Sequence, residues 1–263
     1  MKRLKKERRV ACITTDFERD YGSRTGRLEA FGNHRQIRQL QKTFAKYKVP
    51  VSGFVQTDIA NDKKILQTIR ALTNDLHCHS HTHRPNEIQK SFDEFKKIFK
   101  QSPLGYRAPF GKTDADFPKL LKAAGFKFSS SIFPSFRPGQ YNNLRQPTQP
   151  FRYPNGILEL PLAVIPSVRY TISLSYIKLL GFDRFKKLAD KFSLPIILIF
   201  DMHLHDIVTA PKSFRMLPPY LKALYWHNQN QGLEYLESFI ALLNQRGYKF
   251  MTISNLYKEL CQK

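Results

Sequence analysis

Three cysteines in 263 residues are too few to build a disulfide framework. Cys12, Cys78 and Cys261 are odd in number and show no CxxC spacing, so they read as reduced thiols of an intracellular protein. Long apolar runs are also missing. The longest, Leu194 to Phe200, falls far short of the roughly 20 residues a spanning helix needs. The basic start, Met1-Lys2-Arg3-Leu4-Lys5-Lys6-Glu7-Arg8-Arg9, passes straight into Val10-Ala11-Cys12-Ile13-Thr14. With no apolar h-region between them, a secretory signal is not expected. Glycine is scarce, at 12 residues, and no GxxxxGK[ST] loop occurs, which disfavours phosphoryl transfer. Internal repeats and low-complexity tracts are absent. These absences predict a soluble, cytoplasmic protein.

Acidic residues are the other shortage: 21 Asp and Glu stand against 43 Lys and Arg, a formal net charge of +22. The cations are spread over nearly every segment. Such a field attracts polyanions, whether nucleic acid, anionic lipid surfaces or acidic glycans, and says nothing about chemistry.

Histidine is where the sequence is rich. Four of its eight histidines fall on alternate residues in Asp75-Leu76-His77-Cys78-His79-Ser80-His81-Thr82-His83. Two pairs have i, i+4 spacing, His77 with His81 and His79 with His83. Either would share one face if the strand end becomes a helical turn. Histidine is the commonest side-chain metal ligand, so a metal site is expected here.

Taken in order, strand-like runs alternate with amphipathic helices. Strands are expected at Val10 to Thr14, Val51 to Val55, Phe126 to Ile132, Ile157 to Leu162, Pro195 to Phe200 and Tyr248 to Ile253. Helical spacing joins Ile37, Leu40, Phe44 and Tyr47, then Ile88, Phe92, Phe95 and Phe99, then Phe117, Leu120, Leu121 and Ala124 with Gly125 as C-cap. Tyr176 to Phe192 reads as one helix, and Ser254 as the cap of a terminal one. The alternation predicts an α/β barrel or a doubly wound sheet, in one domain over residues 1–263. Residues 1–8 are a basic N-terminal tail and residues 133–155 a long loop.

Ionisable residues recur just after strands: Asp16, Glu18, His79, His83, Arg107 and His203. In a barrel those ends converge on one mouth. A carboxylate with two histidines leaves coordination positions open, as a catalytic metal site does; Zn²⁺, Fe²⁺, Co²⁺ and Ni²⁺ all suit it. Amide hydrolysis also needs a base and an acid, for which Asp16 and His203 are the natural pair. Arg107 can hold the base ionised or neutralise an oxyanion.

These residues resemble the polysaccharide deacetylases with a NodB-type domain, carbohydrate esterase family 4. Thr15-Asp16-Phe17-Glu18 is similar to the first motif, in the variant whose metal-binding acid lies two residues after the base. His79-Ser80-His81-Thr82-His83 matches H-[ST]-x-x-H, which selects His79 and His83. Arg107-Ala108-Pro109-Phe110-Gly111 matches R-x-P-x-G. Leu160-Pro161 stands where the fourth, apolar motif lies, and His203 where the last has its histidine; His205-Asp206 competes for that place. The resemblance implies a distorted (β/α) barrel of about seven strands, NodB-like. It implies Asp16, His203 and Arg107 as catalytic residues and Glu18, His79 and His83 as ligands of a divalent metal, Zn²⁺ first. The implied activity is removal of an N-acetyl or other N-acyl group from an amino sugar of a polysaccharide or its lipid- or nucleotide-linked precursor. Peripheral contact with an anionic membrane at its inner face fits the charge; nucleic acid is not the expected partner. The alternatives are a C–N hydrolase of a small non-sugar amide and an inactive basic barrel that binds a polyanion.

Overall fold

Eight consecutive buried residues, Val10–Phe17, form β1. A strand buried on both sides is what the middle of a parallel sheet requires. Such a sheet is present in the computed structural model, which describes residues 8–84 and 86–262; the basic tail foreseen at 1–8 lies, apart from Arg8, outside them. β2 is Val51–Gln56, β3 Asp75–Ser80, β4 Gly105–Tyr106 and β5 Phe128–Ser129. The strand Ile197–His203 leads the order, followed by β1 to β5 and then Leu158–Glu159, all parallel. Phe151–Arg152 adds an antiparallel edge, and Lys249–Phe250 pairs with the start of β1. Ala163 N–H donates to Ile199 O at 2.9 Å, which brings the far end of the sheet back to its first strand. The result is an α/β fold whose parallel sheet curls into a distorted barrel.

Alternation along each strand assigns the two faces. Ala11, Ile13 and Phe17 of β1 point outward to the apolar faces of the helices, among them Ile37, Leu40 and Phe44 of His34–Tyr47 and Phe95 and Phe99 of Ile88–Phe99. Val10, Cys12, Phe54, Phe128, Leu160 and Ile199 fill the inside of the curl. The terminal helix Ile253–Cys261 plugs the lower end with Ile253 and Leu256. Inward positions beyond this layer, toward the C-terminal ends of the strands, turn polar: Thr14 and Asp16, then His79, then Asp201 and His203.

Several elements depart from the sequence reading. The single helix expected over Tyr176 to Phe192 is two, Leu174–Leu180 and Phe182–Lys191, broken at Gly181 where φ is +84°. The strands expected at Phe126 to Ile132, Ile157 to Leu162 and Tyr248 to Ile253 pair over only two residues each. The strand expected to end at Phe200 runs on to His203, because Asp201, Met202 and His203 pair with Thr14, Thr15 and Asp16. Thr252, not Ser254, caps the last helix, its side chain accepting from Asn255 N–H. The long loop 133–155 contains a hairpin, Phe136–Arg137 with Tyr141–Asn142. The helices Leu204–Ile207, Pro211–Met216 and Pro219–Trp226 were not foreseen, the last two with proline in the first turn. No described helix is long and apolar enough to cross a membrane.

Candidate active site

Register puts the first acid and the last histidine side by side. Asp16 on β1 is the partner of His203 on the neighbouring strand, and Thr14 of Asp201. All four face inward. His203 Nε2 lies 3.9 Å from Asp16 Oδ2 and 3.5 Å from Glu18 Oε1. One residue after β1, Glu18 keeps the inward direction of Asp16 and is buried.

The histidine stretch does not become a helical turn. β3 runs through His79 to Ser80, then bends so that His83 returns over the mouth with a left-handed backbone, φ +66°. Its N–H donates to Ser80 Oγ at 2.8 Å. A histidine at positive φ is uncommon, and its surroundings must hold it there. His79 Nδ1 meets the Arg107 carbonyl at 3.0 Å; a carbonyl only accepts, so this nitrogen carries a proton and Nε2 is turned on Glu18 Oε2 at 3.3 Å. His83 Nε2 contacts the same oxygen. The rival pair is engaged elsewhere: His77 with Asp75 at 2.8 Å, His81 with Thr57 Oγ1 at 3.0 Å.

Arg107 follows β4 and crosses the barrel, 2% exposed. Its Nη1 donates to Asp16 at 2.7 Å and to Asp201 at 2.9 Å, and its Nε to Ser130 O at 2.9 Å. The Phe54 ring lies 4.0 Å beneath the guanidinium. After it, Phe110 takes φ +56° and Gly111 φ +65°; a Cβ on Gly111 would stand 2.9 Å from the Phe133 ring. That turn sets Phe110 edge-on to His83, with centroids 4.5 Å apart, and Arg24 over its face at 4.8 Å.

Charge is unevenly shared here. Burial would raise the Glu18 carboxyl, but His83, His79 and His203 hold it well below the usual range. One guanidinium serves two carboxylates. Burial, then the nearby Asp16 charge, pushes Asp201 up to about 6 against the pull of His203 and Arg107. Burial opposes a proton on His203, yet Asp201, Asp206 and Glu18 raise it well above the ordinary imidazole value. Its Nδ1 lies 3.4 Å from Asp206, a carboxylate that also accepts the Ser175 hydroxyl and the His203 N–H. His205 behaves oppositely: burial drives it down to about 4. The chain turns into the helix Leu204–Ile207 just after His203, so strand alternation does not carry on to His205. Its Nδ1 accepts the Tyr21 N–H at 3.2 Å, and its ring packs against those of Tyr21 and Tyr225.

Among the described residues, three groups offer donor atoms within 4.8 Å of one another: Glu18, His79 and His83; Asp16, Asp201 and His203; His203, His205 and Asp206. The second already holds the Arg107 cation, and in the third the His205 nitrogen and the Asp206 oxygens have protein donors. The first leaves a buried carboxylate oxygen, Glu18 Oε1, with no hydrogen-bond partner. His203 Nδ1 also lacks one, but it stands 3.4 Å from an Asp206 carboxylate already engaged by Ser175 and the His203 amide. An orphaned oxygen on a carboxylate whose other oxygen meets two imidazoles is what a cation would satisfy. All six residues singled out from the sequence line one cleft of about 260 Å³. Sequence reasoning missed Asp201, Tyr141, Tyr176, Arg24 and Arg137 there. Asp201 alone carried a signal, two residues before His203 on one strand.

The sequence model of the family described as polysaccharide deacetylase matches residues 20–129. No curated protein sequence matches the chain. Among solved structures, a Mycobacterium smegmatis protein classed as a polysaccharide deacetylase superposes with TM-score 0.57 at 14% identity, covering 97% of this chain and 92% of its own. Peptidoglycan deacetylase PdaC of Bacillus subtilis gives 0.51 at 12%, with 98% and 95% covered. BA3943 of Bacillus anthracis, a CE4 family pseudoenzyme, gives 0.53 at 12%, with 95% and 66% covered. The chain resembles the polysaccharide deacetylases in sequence over residues 20–129 and in fold over nearly its whole length.

Proposed function

We propose that this chain is a metal-dependent deacetylase that hydrolyses the N-acetyl group of an amino sugar, held on a polysaccharide or on its lipid- or nucleotide-linked precursor. The observation that carries the reading is the buried Glu18 carboxylate, whose Oε2 meets both His79 and His83 while its Oε1 has no hydrogen-bond partner and lies 3.5 Å from His203 Nε2, beside the Asp16–Arg107 pair. The likeness to PdaC supports the substrate class, and that to BA3943 means that fold alone does not supply activity.

Glu18, His79 and His83 would hold the ion, with Zn²⁺ the first candidate and Fe²⁺, Co²⁺ or Ni²⁺ compatible with the same donors. When bound, it supplies Lewis-acid polarisation of the acyl oxygen and of a water. Asp16, kept in place by Arg107, takes a proton from the attacking water as its oxygen bonds to the acyl carbon. His203, steadied by Asp206 at Nδ1, gives a proton through Nε2 to the departing nitrogen. The C–N bond breaks, leaving acetate and a free amine. His203 rather than His205 has this role, since His205 Nδ1 is occupied by the Tyr21 amide and its burial resists a proton.

Metal analysis of the purified protein should return one divalent ion per chain. Acetate release from chitooligosaccharides and from nucleotide- and lipid-linked N-acetyl sugars should depend on it. A metal-loaded protein that releases acetate from none of them overturns this reading.

A further inference from the structure

Between Asp206 and Glu234 the chain has no acidic residue. This stretch contains the helices Pro211–Met216 and Pro219–Trp226 and leaves large apolar side chains in water: Met216, Tyr220 at 71% exposure, Leu224, and Trp226 at 70%. Only Leu221 of the second helix is buried. Leu179, also exposed, adds to the patch from Leu174–Leu180, which packs against it. Apolar groups gathered on one surface mark an interaction site rather than ordinary scatter. The patch continues into the cleft, whose rim includes Leu179, Leu224 and Tyr225.

Charge narrows the choice of occupant. Lys212, Arg215 and Lys222 flank the apolar side chains, and none forms an ion pair among the described residues. A second copy would bring a like-charged face against this one, in a chain of net charge +22. Tyrosine and tryptophan beside unpaired lysine and arginine suit the headgroup layer of a membrane, where the rings are half wet and the cations meet lipid phosphates. We propose that this surface docks on an anionic phospholipid bilayer and turns the cleft toward substrate held there. The orientation of substrate rests on the deacetylase reading; the docking does not.

Trp226 is the only tryptophan of the chain, so its fluorescence reports on this surface alone. With the full chain and vesicles of equal parts phosphatidylglycerol and phosphatidylcholine, its emission should shift to the blue and be quenched by bromine on the acyl chains. Pure phosphatidylcholine should give neither. Arg215→Glu with Lys222→Glu should lower the partition coefficient by about tenfold or more, each basic residue near such a surface being worth about fivefold. Tyr220→Ser should lower it too, and both variants should still release acetate from a soluble N-acetyl sugar. Three results overturn the docking: no vesicle binding, binding that leaves Trp226 unquenched, or a Trp226 shift that follows protein concentration without lipid. Quenching by lipid with no hydrolysis of any sugar would leave the docking standing and the deacetylase reading refuted.

Discussion

Two histidines on one strand face, His77 and His79, show how the same side chain serves the two ends of one barrel. His77 lies in the lower half, between the rings of Phe54 and Phe128, with Nε2 on Asp75. That carboxylate is fully engaged: it also accepts from Ser52 Oγ, the Ser254 amide and Ser254 Oγ, so it ties the terminal helix to the barrel floor. His79 faces a carboxylate with one oxygen left over, next to a cleft. His77 Nδ1 also lacks a partner, but it lies among aromatic rings and away from the cleft. A carboxylate with its capacity used contributes rigidity, whereas one with an oxygen to spare beside a cleft is available for a ligand. Spacing in the sequence is identical for both; what differs is whether the partner carboxylate has spare capacity.

The strongest way to break this contrast is to exchange the losses. His79→Ala should remove bound metal and acetate release together, while His77→Ala should keep the metal and cost about 1.5–3 kcal/mol of stability from the lost bond to Asp75. Metal retained in His79→Ala and lost in His77→Ala would reverse the two ends. Next in size is Asp16→Asn, which should lower turnover by about 10²–10⁴-fold with metal and fold retained. Near-normal turnover would remove Asp16 from the mechanism; in the same assay His203→Ala should be impaired more than His205→Ala.

The smallest effect belongs to the floor. Burial would raise Asp75, but the bonds and charge of His77 and the Ser254 bonds bring it down to about 2 from an ordinary 3.8. A depressed carboxyl stabilises the fold above its unfolded value, and that stability fades as pH falls from about 4 toward 2. The shift corresponds to about 2–3 kcal/mol. Asp75→Asn should therefore be less stable than the parent at pH 6, and the gap should narrow by pH 2. A gap independent of pH would mean that Asp75 acts through packing.

Much of the site was legible because its chemistry lies in short motifs at strand ends. Asp16 and Glu18 end or follow a strand whose apolar run marks it, and alternation fixes which side Asp16 faces. His79, His83 and Arg107 were legible from motif spacing alone, since Asp75–Ser80 and Gly105–Tyr106 have no apolar run. Asp201 was harder to read. It sits in a strand that looked finished at Phe200, and its importance comes from Arg107, 94 residues away in the chain, which reaches both it and Asp16. The helices near Trp226 are short and carry apolar side chains outward as well as inward, so the pattern that revealed the others is faint there.

By itself the sequence determined the alternation of strands and helices that makes an α/β fold and the residue types at the mouth, since these follow from periods of 2 and 3.6 and from local turn chemistry. Only the tertiary structure decided which donors meet. His205 is withdrawn to the Tyr21 amide while His203 reaches Glu18 and Asp16, because the chain leaves the strand at Leu204. His77 and His79 part ways because a helix some 180 residues on closes one end of the barrel and leaves the other open. Pairings between distant strands and the burial that accompanies them depend on the whole closed sheet, which no local stretch encodes.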